Sequence, residues 1–244
     1  MGGALLEQHG ARCLVRVLQC TLPHDASPQW RAVVAALEAH AASRGAATLV
    51  TAVAPQLAPV FGAAGFRATM TTVGKRLDPD AAPELQDDRR VAVRPMVDEE
   101  RRRFAADARD LLVAGMERAG VVDPGAIGLA GLDDRLAGLA ADPPPAGELL
   151  MMGSVDDVVV GRAWATLVRR EDGLDFHGNT IELFPEHRGQ GLTKSFLGAL
   201  RPYVQELGVR EVRLRVYGHD ERARRTFLAE GAGVADVHLR KDLL

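Results

Sequence analysis

The run Phe184-Pro185-Glu186-His187-Arg188-Gly189-Gln190-Gly191-Leu192 constrains this chain more than any other. It follows an apolar, strand-like segment and opens a helix-like one. A strand, a glycine-bearing turn and a helix start converge backbone N–H groups on one spot, where the helix dipole favours negative charge. Gly189 and Gly191 let the backbone approach a phosphate closely. Arg188 adds a cationic fork. The segment therefore reads as a cradle for a diphosphate; the plainer alternative is a charged loop ahead of an amphipathic helix.

The alternation along the rest of the C-terminal part sets this turn in context. Arg90 to Met96 reads as a short strand, and Asp98 can cap the helix that follows, with Phe104, Ala108, Leu111, Leu112 and Met116 at helical spacing. Leu132, Leu136 and Leu139 mark a second helix, which Asp142-Pro143-Pro144-Pro145 stops. Glu148 to Gly153 is short and apolar, Val158 to Val168 is a longer strand, and Glu171-Asp172-Gly173 is a hairpin turn into a strand from Leu174 to Phe184. Phe196, Leu197, Leu200, Val204 and Leu207 line a helix that Pro202 should kink and Gly208 ends. Val209 to Tyr217 alternates strictly; a helix from Asp220 to Glu230 and a strand from Val234 to Leu243 complete the order.

This order and the turn together resemble the GNAT N-acyltransferase family, whose acyl-CoA motif is Arg/Gln-x-x-Gly-x-Gly/Ala after a Pro-Glu or Pro-Asp turn. The resemblance covers residues 88–244, which are expected to form a complete GNAT domain. It implies an α/β (α+β) fold: a mixed, largely antiparallel sheet flanked by helices. The motif's last position is Thr193 rather than Gly or Ala.

The first 80 residues read as a degenerate copy. Ala11–Gln19, Thr48–Val53 and Thr69–Leu77 are expected strands, with helices at Trp30–Ser43 and Leu57–Ala64. Phe61, Gly65, Lys75 and Leu77 meet Phe227, Gly231, Lys241 and Leu243 when the halves are superposed. The place of the cradle reads Leu22-Pro23-His24-Asp25-Ala26-Ser27-Pro28, without glycine and with an acid where a cation is needed. Asp78 to Asp88 is a polar linker. A tandem arrangement is the expectation.

By the same resemblance, acetyl-CoA or another acyl-CoA is the co-substrate. Arg188, Gly189, Gln190, Gly191, Leu192 and Thr193 would hold its diphosphate, and backbone near Leu183 and Phe184 its pantetheine arm. Asp220 stands where the family has Asn, and Phe227 where it has the Tyr that protonates the leaving thiolate. Asp175, His177 and Glu182 are the candidate bases on the strand. Period-two spacing puts Asp175 and His177 on one face and Glu182 on the other unless a bulge intervenes. His177 and Glu182 are carried as catalytic candidates; each could equally be a solvated strand residue.

The activity implied is transfer of an acyl group, acetyl first, from acyl-CoA to an amine of a small molecule or peptide by direct attack. The alternative is a non-catalytic acyl-CoA-binding or scaffold protein. Net charge is −3 over 244 residues, so no basic field points at nucleic acid. The arginines at 213, 215, 222, 224 and 225 lack interleaved aromatics and read first as a solvated face. No run is long and apolar enough for a membrane, no leader is legible, and Cys13 and Cys20 make neither a disulfide framework nor a metal site. A cytoplasmic monomer or homodimer is expected, and the wealth of Ala, Arg and Gly points to a GC-rich bacterial source.

Overall fold

The computed structural model describes residues 2–78, 90–122, 130–171 and 173–243. Most of the expected linker, and the middle of the expected Glu171-Asp172-Gly173 turn, lie outside them. The chain forms two compact units, Met1–Val73 with Gly115–Pro124 and Val216–Leu244, and Gly74–Ala114 with Gly125–Arg215.

In the first unit the strands run β1 (Gly2–His9), β2 (Arg12–Cys20), β3 (Thr48–Val53), β10 (Gly233–Asp242) and β4 (Arg67–Arg76) across the sheet. Strand β1, an exposed edge hairpin arm, was not legible in the sequence because almost none of its side chains is buried. Strands β2 and β3 are parallel, so the chain must cross over between them, and α1 (Ser27–Ser43) makes that crossing. Helix α1 buries Trp30, Val34, Leu37 and Ala41, a stripe of helical period, against Cys13 and Val15 of β2 and Leu49 and Val53 of β3. Phe61 of α2 (Ala58–Ala63), Phe66 and Leu239 of β10 close this core.

The last strand of the chain thus completes the sheet of the first half. β10 pairs antiparallel with β3 from Val237↔Val53 to Asp242↔Thr48. The Leu243 N–H continues this line to the Ala47 carbonyl at 2.8 Å, while the Leu77 N–H bonds the Arg210 carbonyl at 2.7 Å. The final strand of the sequence thus lies in the first unit, beside strands from the start of the chain. α2 and α6 (Glu221–Ala229) also end alike. Gly65 and Gly231 both take left-handed φ, +89° and +84°. The Phe66 N–H returns to the Phe61 carbonyl and the Ala232 N–H to that of Phe227, each at 3.1 Å. The aligned glycines and phenylalanines of the two halves occupy one helix-ending geometry.

In the second unit the sheet order is β9 (Val209–Tyr217), β8 (Gly173–Leu183), β7 (Val158–Arg170), β6 (Glu148–Val155) and β5 (Ala92–Pro95). β5 to β8 are antiparallel neighbours, and β8 and β9 are parallel, joined by α5 (Leu192–Glu206). Helix α5 continues through Pro202 to Glu206. It packs Leu192, Phe196 and Leu200 on Met151, Val160 and Ala163. Helices α3 (Asp98–Ala119) and α4 (Ala130–Leu139) follow β5. Phe104 of α3 meets Trp164 of β7 edge to face, with centroids 5.9 Å apart.

Leu239 is 3% exposed and belongs to the core of the first unit. Leu239→Ala should cost about 2–5 kcal/mol in urea unfolding, whereas Leu111→Ala at an exposed position should cost much less. Equal losses would contradict the place of β10 in this core.

Candidate active site

The glycine-rich turn is built as its residues dictate. After Phe184 a single tight turn, Pro185–His187, leads to Arg188. Gly189 and Gly191 both sit in the left-handed region, at φ 77° and 76°, where a side chain would be strained. Gly191 precedes α5, and among the described residues no side chain caps that helix. Buried Leu192 and Ser195 fix the helix start, the Ser195 hydroxyl accepting the Val91 N–H at 2.9 Å. Thr193 and Lys194 are exposed beside it. Arg90 donates from Nη1 to the Gln190 carbonyl at 3.3 Å, adding a cation that the motif did not reveal. Its signal was weak: the second of two adjacent arginines ahead of a strand, a hundred residues earlier. Gln190 donates to the Glu186 carbonyl, and Arg188 folds back, its Nε donating to the Leu183 carbonyl at 2.9 Å.

Strand β8 carries the candidate bases, and its geometry departs from strict alternation. Trp164 faces Thr180 while Ala165 faces Gly178, so Asn179 is an extra residue, a bulge. Beyond it the parity reverses. Asp175, His177, Thr180 and Glu182 stand opposite Val168, Thr166, Trp164 and Arg162, alternate residues of β7. All four therefore share one face of the sheet, including Glu182, which unbroken alternation would have put behind it. The parallel ladder with β9 runs from Leu174↔Val209 to Gly178↔Leu214. Among the described residues, Asn179 to Leu183 have no β9 partner, so the bulge marks the start of an open strand edge. The Phe184 N–H is committed to the Val160 carbonyl at 3.0 Å.

Charges on this face are paired. Glu182 accepts Arg162 Nε at 2.8 Å and lies 3.9 Å from Arg188. Arg162 also approaches Asp107 at 3.5 Å and lies over the rings of Phe104 and Phe184. Asp175, buried, is held by Arg170 Nε at 3.2 Å. His177 places Nε2 3.7 Å from Asp175 Oδ2, beyond normal hydrogen-bond length. Nε2 is buried without a hydrogen-bond partner among the described residues, so the exposure of the ring lies elsewhere. Burial pulls the His177 pKa below its usual 6.5; Asp175 opposes this, and the Arg213 and Arg170 charges add to it. The shift favours the neutral imidazole.

The same face carries a network not anticipated from the sequence, where Glu148 headed an otherwise apolar strand. Glu148 is 9% exposed in its side chain. It accepts Arg135 Nε at 3.0 Å, Arg135 Nη2 at 3.2 Å, Trp164 Nε1 at 2.7 Å and the Thr166 hydroxyl at 3.3 Å. Thr166 in turn accepts from Arg135 Nη2, and from Asn179 Nδ2 at 2.9 Å. The side chain of the bulge residue is thereby tied to a buried carboxylate.

Two expected positions belong to the first unit. Asp220 caps α6, its carboxylate accepting the Ala223 N–H at 2.9 Å. Phe227 lies within α6 and has no proton to give. Tyr217 stacks on His219, and burial pushes its hydroxyl pKa up. Among the surface arginines, Arg213 pairs with Glu211 and Arg224 with Glu221. Among the described residues no cluster of His, Cys, Asp and Glu could hold a metal, and no helix is long and apolar enough to cross a membrane.

The start of α5, led by left-handed Gly191, stands beside the open edge of β8. Residues 120–232 match the model of the acetyltransferase (GNAT) family. The fold of the chain is similar to solved GNAT structures along nearly the whole length. A tandem GNAT protein from the clavulanic acid biosynthesis pathway, solved without AcCoA, is 16% identical, with a TM-score of 0.52 over 100% of this chain and 79% of that one. A GCN5-related N-acetyltransferase from Sphaerobacter thermophilus is 17% identical, with a TM-score of 0.54 over 98% and 76%. A conserved protein of unknown function from Staphylococcus epidermidis is 15% identical, with a TM-score of 0.50 over 95% and 84%. No curated protein matches the chain. At these identities the likeness is one of fold.

Glu148→Ala should destabilise the protein by about 1–3 kcal/mol, the range for a buried hydrogen-bonding group left without its partner. Half-exposed Arg135 softens the loss. A change in the urea midpoint no larger than that of a surface substitution would contradict the network.

Proposed function

We propose that this chain is an acyl-CoA-dependent N-acyltransferase, using acetyl-CoA first, whose second unit binds the co-substrate. The observation that carries this reading is the start of α5, which no described side chain caps, led by left-handed Gly191 and flanked by Arg188, Arg90 and Lys194. The residues fit the group. Backbone donors from Gly189 to Thr193 suit a diphosphate, and Arg188 turns from the Leu183 carbonyl to join them. The open edge from Asn179 to Leu183 offers backbone groups to the amide-bearing pantetheine arm. A backbone N–H in that stretch polarises the thioester carbonyl and stabilises the oxyanion.

His177 then accepts the proton that the amine must shed as its nitrogen bonds the carbonyl carbon. The C–S bond breaks, and the electron pair leaves on the thiolate of CoA. With Phe227 in place of a phenol, that thiolate leaves unprotonated; a thiol pKa of about 8.5 makes this a moderate demand. Glu182 is held by Arg162 and orients the site more than it takes protons. The first half is a GNAT-like half-domain whose cradle has decayed and which keeps the role of completing sheet and core. We place the protein in the bacterial cytoplasm, where acyl-CoA is at hand. Phe227 is also the residue that favours a purely acyl-CoA-binding protein.

Arg188→Glu combined with Gly191→Asp should weaken acetyl-CoA binding at least about tenfold, or ~1.4 kcal/mol, in calorimetry. Unchanged affinity would overturn the cradle. Below the His177 pKa the ring is protonated and cannot accept, so kcat/KM should fall on the acid side with an inflection under about 6.5. His177→Ala should cost about 100-fold or more and abolish that limb; an unaltered profile removes His177 from the reaction. Tight acetyl-CoA binding without thiol release across a broad amine panel would select the binding-protein reading.

A further inference from the structure

Resting on the acyltransfer reading, the geometry points to the acceptor class: a zwitterionic amino acid, its carboxylate docked on the free edge of Arg135 and its amine against His177. Three contacts immobilise the Arg135 guanidinium. Nε and Nη2 are held by Glu148, Nη2 also by Thr166, and the plane lies 4.4 Å from the Trp164 ring centroid. Nη1 has no partner among the described residues, and the side chain is 37% exposed. A guanidinium fixed on one edge and open on the other is preorganised to take an anionic oxygen at little entropic cost.

Its place relative to the chemistry follows from the strand register. Thr166 stands directly across from His177, and Arg135 Nη2 touches the Thr166 hydroxyl. Directly opposed side chains in an antiparallel pair lie about 5 Å apart at Cβ. The free edge of Arg135 and the His177 ring are thus a few bonds apart, the spacing between the two charged ends of an amino acid.

Charge supports the same class. The ion pairs Glu148–Arg135, Asp175–Arg170 and Glu182–Arg162 leave this face near neutral. A simple polyamine or a polyanion finds no matching field there. A zwitterion finds a donor edge for its carboxylate, and Asp175 and Glu182 on the side where its ammonium arrives before His177 takes the proton.

The test uses the full chain and matched ligands: amino acids, their decarboxylated amines and their amides. Two readouts are followed, thiol release from acetyl-CoA and the Trp164 indole N–H resonance recorded with ligand alone. At least one amino acid should shift that resonance and be acylated with kcat/KM about tenfold or more above its decarboxylated amine. Arg135→Lys should erase the difference, chiefly through KM, and leave acetyl-CoA affinity within about twofold. Should Arg135→Lys fail to fold, the pair Arg135→Gln with Glu148→Gln keeps the buried site neutral and should have the same effect. The inference is overturned if decarboxylated amines serve as well as their parents, or if no amino acid moves the Trp164 resonance. Absence of acetyl-CoA binding in calorimetry would sink the acyltransfer reading, and the Trp164 resonance would still decide the role of Arg135.

Discussion

Asn179 adds one residue to β8 opposite the Trp164–Ala165 step, and the chemistry of the second unit follows from that insertion. Because side chains alternate along a strand, one extra residue turns every later side chain to the other face. Glu182 thereby joins His177 and Asp175, and β8 leaves its ladder with β9 at the same point. A local irregularity thus serves two ends: it gathers titratable groups on one face and frees backbone beside them. The tie from Asn179 through Thr166 to Glu148 explains why the strand keeps the irregular path. Releasing it would leave the part-buried Asn179 amide without its Thr166 acceptor.

The electrostatics of this face are arranged by pairing rather than by excess charge. Each buried carboxylate has an arginine: Glu148 with Arg135, Asp175 with Arg170, Glu182 with Arg162. Such pairs orient more than they stabilise, since desolvation offsets much of the attraction. Histidine is the exception. His177 is partly buried without a full hydrogen bond to Asp175, and its proton is held less tightly than in water. Among these paired ions the neutral form of the His177 imidazole is favoured.

β10 gives the first unit its long-range cohesion, pairing with β3 and closing the core beneath α1 with Leu239. Within the second unit, Leu77 bonds Arg210 near the start of β9. The helix endings at Gly65 and Gly231 share one left-handed backbone geometry.

The sequence by itself determined what short-range patterns can encode. The tight turn before α5 follows from Gly189 and Gly191, whose φ only glycine tolerates well. The parallel strands and their crossover helices follow from periodicities of two and of about three and a half. Tertiary structure alone decided the rest. Which face Glu182 occupies depends on the register of a neighbouring strand; the Glu148–Arg135–Trp164 network joins residues of three elements; and Arg90 reaches Gln190 across much of the chain. The partner of β10 lies in the far half of the sequence. These are contacts between segments distant along the chain, and the local pattern of a segment carries no record of the neighbour against which it will pack.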